Sequence, residues 1–558
     1  MGSNRAENRA ESRAGTRGAR TALGIGAAVL LLAAVVGGWA FVRADGTEDP
    51  PLVVGTTVVP TSTDPGAAYD AGSAMLAGNL YQSLLTFVPG QDAPVPDAAE
   101  SCAFDAGRLL VYRCVLRSDL TFSDGRAVTP ADVKFSFDRV LAMAERERRE
   151  AGDPSIPEGR RFDYQGPAGL LATLREVRVA GQEIVFRLNR PDAGFPFVVA
   201  GSAGAIVDRH SYPELEPREN GRVLGSGPFL LSRWTGDSAE LVPNASYRGA
   251  ARVPEGPVTV RYFEQDAGGT TGERLLAQAW QAGEIDVNDG RMPPEVMAGL
   301  SAGDPSHRAY EATGGGIRVL AFNTREGAPF HRAAARRAAA ALLDREALTR
   351  RVQHDTVEPL YSLIPTGFAG HGTPYYDRYA GADTGALREE LEEAGVDLPL
   401  PFRLAYSRGP ANHEEARLIE EQLEAGGIFA VETEYHPWAE FVSGLYAAEP
   451  YDAYLVGWQP DFPDPATFTD QLLGPADGLN TGFRDAAIDE LIAETQAEPD
   501  RARAAGAFRA AHERAAGSAP VIPLWQERVT ILSGTDVAGI QLLPSSSGVW
   551  RLWELRRI

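Results

Sequence analysis

What constrains this chain most is an alternation of strand-like and helix-like stretches running from residue 52 to the C-terminus. LVVGTTVVP, from residue 52, reads as a buried strand stopped by proline. Residues 71–86 follow with Met75, Leu76, Leu80, Leu84 and Leu85 at helical spacing. Residues 112–116 and 120–122 read as strands, and Thr129-Pro130 opens a helix as N-cap and first helical residue. Further strands are expected at 184–188, 258–262, 401–406, 431–435 and 520–524. Further helices are expected at 273–282, 330–352, 412–425, 485–497 and 501–516, while 145–166 reads as an exposed excursion. Repeated alternation of this kind means an α/β architecture. The 558 residues exceed what one core organises, so two or three lobes are expected. No repeat period and no long structureless stretch follows residue 51, so short crossovers must tie those lobes together.

Ahead of this region stand a basic tail, residues 1–20, and a charge-free run, residues 21–42. In the tail Arg5, Arg9, Arg13, Arg17 and Arg20 outnumber Glu7 and Glu11. A helix over the run would rise about 33 Å, enough to span a bilayer. Arginines before it direct the rest of the chain outward by the positive-inside rule. A signal peptide cleaved near Ala44 is the competing reading. The run is longer than a usual signal core, which favours an uncleaved membrane anchor, and no cysteine follows it to carry a lipid. A linker, residues 45–51, leads into the exported part. There Cys102 and Cys114, an even pair at hairpin distance, read as a disulfide.

The formal net charge of −23 argues against a nucleic-acid partner, which needs a basic surface. Enzyme signatures are missing. There is no G-x-S-x-G, no H-E-x-x-H and no Walker A, since GGTTGERL at 268–275 lacks the lysine. The eight histidines show no metal-ligand spacing. No catalytic residue, metal or cofactor is therefore expected.

The stretch YDAYLVGWQPDFPDP, residues 451–465, does present chemistry. An apolar strand breaks at Gly457-Trp458 into a loop stiffened by three prolines, which hold one shape at low entropic cost. An indole, Trp458, beside a carboxylate, Asp461, suits a ligand with an apolar body and a positive end. Asp464-Pro465 reads as an N-cap followed by a first helical residue. From its neighbours alone, Asp461 is either a turn former or a ligand-facing group.

Five stretches, in order, resemble the bacterial solute-binding proteins of the dipeptide/oligopeptide type, family 5, that serve ABC importers. They are LTFSDGRAVTPADVKFSFDRVL, GSGPFLLSRW with LVPNASYRG, AFNTREGAPFHRAAARRAAAALLDREAL, YDAYLVGWQPDFPDP and LNTGFRDAAIDELI. The resemblance implies a type II periplasmic-binding-protein clamshell of three lobes, hinged between lobes I and III. Lobe I would comprise 52–70, 205–312 and 517–558; lobe II, 71–204; lobe III, 313–516. Asp461 matches the aspartate that in peptide-binding members pairs with the peptide's α-amine, and Trp458 matches the tryptophan beside it. Tyr81 and Asn79, with Ser73, fall where the family's cleft-edge helix would lie. Gly315, within the run 314–316, would let main chain approach a ligand closely. Leu455 stands where some peptide binders carry an arginine for the ligand carboxylate, which leaves Arg318 as a substitute candidate. The implied partners are a peptide and the permease and ATPase subunits of an importer, with the protein acting as a monomer. The alternatives are a non-peptide solute such as a nickel chelate, sugar or opine, or an exported sensor or hydrolase.

Overall fold

Two long antiparallel strands, His307–Phe322 and Val521–Gly534, lie side by side for almost their whole length. The computed structural model containing them describes residues 50–558 apart from 92, 106, 158–159, 219–220, 268, 301–304, 408, 410, 448–450 and 545–548. The basic tail and the charge-free run, with its cleavage alternative at Ala44, lie outside these residues. Among the described residues no helix is long and apolar enough to cross a membrane.

The long pair forms the middle of an eleven-stranded sheet. On one side the sheet continues through Ala453–Trp458, Leu400–Ser407 and Phe429–His436. On the other it continues through Val287–Asn288, Leu52–Thr56, Val258–Tyr262, Ser238–Pro243 and Phe229–Trp234. The register of the long pair shifts between Thr313 and Ile317, at the glycine run. Such a break bends and twists a ribbon locally. Each long strand therefore serves both halves of the sheet, one half before the break and the other after it.

The larger apolar clusters among the described residues hang on this frame in three groups. The first gathers Val54, Val260 and Phe229 with the helix Ala71–Leu80 and the C-terminal Leu552 and Trp553. The second fills a four-stranded antiparallel sheet covered by the helix Pro130–Ala151, with Phe137, Phe186 and Phe195 fully buried. Cys102 and Cys114 face each other on two of its strands and are disulfide-bonded. The third lies on both faces of the far half of the large sheet. Phe330, Phe402 and Leu455 fill one side, and Phe441, Tyr454 and Phe468 the other.

Several local expectations change. The helix at 71–86 stops at Leu80 because Tyr81 turns extended, and it packs in the first core rather than the second. Apolar spacing alone could not tell which core its buried face would meet. Val521, Ile522 and Leu524, at the start of the second long strand, pack in the third core. The single helix at 330–352 is two, Ala333–Leu342 and Arg345–Arg351, because Asp344 caps a new start by accepting from the Ala347 amide at 2.9 Å. The strand at 120–122 is reduced to one bridge between Thr121 and Ala127. Thr129 and Pro130 open their helix as expected, with Asp132 completing a capping box.

Candidate functional site

The strand Ala453–Trp458 is buried through Val456 and emerges at Gly457-Trp458. The helix Ala466–Leu473 returns immediately behind the loop that follows. Asp464 fixes that return. Its Oδ1 accepts from the Ala466 amide at 2.9 Å, and Arg501 grips both its oxygens at 2.6 and 2.9 Å. The carboxylate is fully enclosed, so its role is structural, as its position before Pro465 suggested.

Thr467, in the helix's first turn, shapes the rest. Its carbonyl accepts from the Trp458 indole at 3.1 Å, and its hydroxyl oxygen accepts from the Asp461 amide at 3.1 Å. The same hydroxyl donates to Asp461 Oδ2 at 3.4 Å. Asp461 is thus aimed by backbone and hydroxyl contacts from its own loop. Its other oxygen accepts from the hydroxyl of Tyr69, a half-exposed residue just before the helix Ala71–Leu80. Among the described residues, no guanidinium or ammonium pairs with this carboxylate. Burial pushes it up to about 6, while the hydrogen bonds from Tyr69 and Thr467 oppose the rise. A half-buried carboxylate without a counter-cation among the described residues is a candidate binding group for a cation.

Two cavities meet at this loop. The first, of about 320 Å³, lies between Asp461 and the helix Ala71–Leu80, with Trp458, Phe87 and Phe197 in its walls. The second, of about 290 Å³, is lined by Gly315, Arg291, Glu527 and Trp525. Gln459 lines both, so they adjoin there. Its amide donates to Glu527 at 2.9 Å, and Arg291 stands 3.6 Å from Glu527 and 3.8 Å from Asp289. A Cβ at Gly316 would come within 2.3 Å of the Gln459 amide nitrogen and 2.5 Å of the Glu527 carboxylate. The glycine run therefore makes room for a side-chain contact beneath the cleft.

The other expected residues divide. Tyr81 contributes its ring to the first cavity, but its hydroxyl is spent on the Thr63 carbonyl and on Tyr212, both at 2.8 Å. Asn79 does not face the cleft. Its amide nitrogen donates to the carbonyls of Met75 and Trp550, and its oxygen accepts from the Leu552 amide, so it fastens the helix to the C-terminal segment. Ser73 likewise serves the chain, accepting from the amides of Thr61 and Ser62. Arg318 lies away from the cleft, although its Nη2 has no partner among the described residues. It is buried against Glu415 at 2.8 Å, and Glu415 also accepts from the Trp525 indole at 2.6 Å. It lines neither cavity. Tyr69, Gln459 and Arg291 were not expected. Tyr69 sits in an ordinary-looking turn, and only tertiary folding brings it to Asp461.

Nothing in this arrangement pairs a nucleophile with a base, and no described group of His, Cys, Asp and Glu could hold a metal. What it offers is a binding surface with one uncompensated charge. Similar proteins bind solutes in comparable folds. The chain is 23% identical over 518 residues to a probable D,D-dipeptide-binding periplasmic protein of Escherichia coli, covering 90% of this chain and 93% of that one. It is 24% identical over 512 residues to a dipeptide-binding protein of Pseudomonas aeruginosa, covering 87% and 90%. Among solved structures, the periplasmic binding protein DppA of Helicobacter pylori, in complex with the peptide STSA, superposes with a TM-score of 0.73 at 21% identity. That match covers 91% of this chain and 98% of the other. The protein AgaA, in complex with agropinic acid, superposes equally well, with a TM-score of 0.72. Residues 93–480 match the family model for bacterial extracellular solute-binding proteins, family 5. The large mixed sheet with its long central strand pair and the family match over most of the chain's length agree, and the chain belongs to the family 5 extracellular solute-binding proteins.

Proposed function

We propose that this protein captures peptides with a free α-amine in the cleft beside Asp461 and delivers them to the permease of an ABC importer. The observation that carries this reading is the aimed, half-buried Asp461 carboxylate, which has hydroxyl partners and, among the described residues, no cation. A peptide's ammonium group supplies the missing charge through a charge-assisted hydrogen bond in a low-dielectric cleft. The relatives named for dipeptides support the peptide class, and a relative holding agropinic acid shows that fold alone does not choose the ligand. The protein works outside the cytoplasm as a monomer, held at the membrane by residues 21–42.

Calorimetry of the detergent-solubilised full-length protein against Ala-Ala-Ala and its N-acetylated form tests this. Acetylation and Asp461→Asn should each weaken binding about thirtyfold or more, the cost of losing one member of a buried charge pair (~2 kcal/mol). Undiminished binding after acetylation sinks the amine contact.

A further inference from the structure

The amine contact uses only the rim of the first cavity. Behind Asp461 the space continues along the helix Ala71–Leu80. Ala71, Ala74 and Gly78 line it at helical spacing, and all three are less buried than Met75, Leu76 and Leu80 on the core side. Across from this wall of small residues stands a wall of rings. Phe87 stacks on Phe197 at 6.2 Å, and Phe197 lies 5.8 Å from Phe462. Small residues facing rings leave a slot with apolar sides.

The charged groups around the slot are already committed, Asp461 excepted. Asp70 caps its helix and holds Thr61 and Ser73. Asp97 is buried and accepts from Tyr247, Gln82 and the Ala250 amide. Arg551 donates to the carbonyls of Phe87, Leu542 and Pro544. A charged side chain entering the slot would give up its water and meet Asp70, Asp97 and Arg551 already engaged. An apolar side chain would gain by leaving water. The slot also opens beside the carboxylate that takes the amine, so the side chain nearest the ligand's amine is the one that reaches it. The volume of about 320 Å³ lies at the small end of ligand cavities, fitting one bulky residue with its backbone.

We infer that this chamber selects the ligand's first residue, taking peptides whose N-terminal residue is aromatic or branched aliphatic. The inference rests on the amine contact proposed above. Its test is calorimetry of the full-length protein with Phe-Ala-Ala, Leu-Ala-Ala, Asp-Ala-Ala and Lys-Ala-Ala. The apolar pair should bind at least tenfold more tightly than the charged pair. Ala74→Leu, which narrows the slot from a partly exposed helix position, should erase the advantage of Phe-Ala-Ala over Ala-Ala-Ala. Thermal melts of the variant verify its fold, and the wild-type series stands without it. Equal affinity across the four peptides, with acetylation still abolishing binding, overturns the chamber and leaves the amine contact intact. Failure of every free-amine peptide to bind overturns the peptide reading and the chamber with it.

Discussion

At the scale of single residues, the proposed amine contact makes Asp461 the group that sets how binding depends on pH. Its folded value, about 6, stands above the ordinary 3.8 because burial disfavours the charge. A raised carboxyl favours the empty fold below the ordinary value, and that contribution is lost as pH climbs through about 6. A ligand ammonium needs the opposite state, an ionised carboxylate. Affinity for free-amine peptides should therefore rise between pH 5 and pH 7, and N-acetylated peptides should show no such rise. Calorimetry across that range measures both. Tyr69 enters here because its hydroxyl stabilises the ionised form. Tyr69→Phe should move the binding midpoint to higher pH, with a larger loss of affinity at pH 6 than at pH 8. An unmoved midpoint would mean that the hydroxyl does not share the carboxylate's charge.

At the scale of elements, the paired strands His307–Phe322 and Val521–Gly534 link the halves of the sheet, and their register break coincides with Gly314–Gly316. Gly316 matters less for its own conformation than for what lies above it. The Gln459 amide and the Glu527 carboxylate occupy the space a Cβ would need. Both are ends of flexible side chains, so Gly316→Ala should alter folding stability by less than about 1 kcal/mol. The displaced Gln459 is two residues from Asp461, so peptide affinity should fall severalfold while the thermal midpoint barely moves. Parallel melting and binding titrations separate the two effects. A variant that loses stability and affinity together would place Gly316 in the frame of the fold instead.

At the scale of the whole molecule, the binding loop also fastens two cores. Phe462, next to Asp461, is buried among the residues of the second core, although its loop leaves a strand of the third. The Ala193 amide adds a hydrogen bond to the Gln496 carbonyl across the same junction, at 2.9 Å. Phe462→Ala should cost on the order of 3 kcal/mol, as truncation of a buried ring does. It should also speed hydrogen exchange in residues 459–464 ahead of either core. Chemical denaturation and exchange mass spectrometry give the two readouts, and uniform exchange would show that the loop is held by its own turn alone.

Much of this organisation is written in the chain. Periodicity and turn chemistry place most elements within a few residues, because caps, prolines and apolar spacing act locally. The strand breaking into GWQPDFPDP marked the loop, and Asp464-Pro465 was legible as a helix start because a cap needs only its neighbours. Cys102 and Cys114 announced their hairpin in the same way. The contacts of Asn79 and Arg318 were not legible because their partners, Trp550, Leu552 and Glu415, lie 471, 473 and 97 residues away. The same distance hid Tyr69, 392 residues from the carboxylate it meets. The sequence by itself determined the α/β architecture, the loop and the two side chains presented on it, since these follow from short-range chemistry. Only the tertiary structure decided which polar groups were spent on the frame and which, like Asp461, kept no cationic partner among the described residues. A buried polar atom takes whichever partner the fold brings to it, however far along the chain that partner lies.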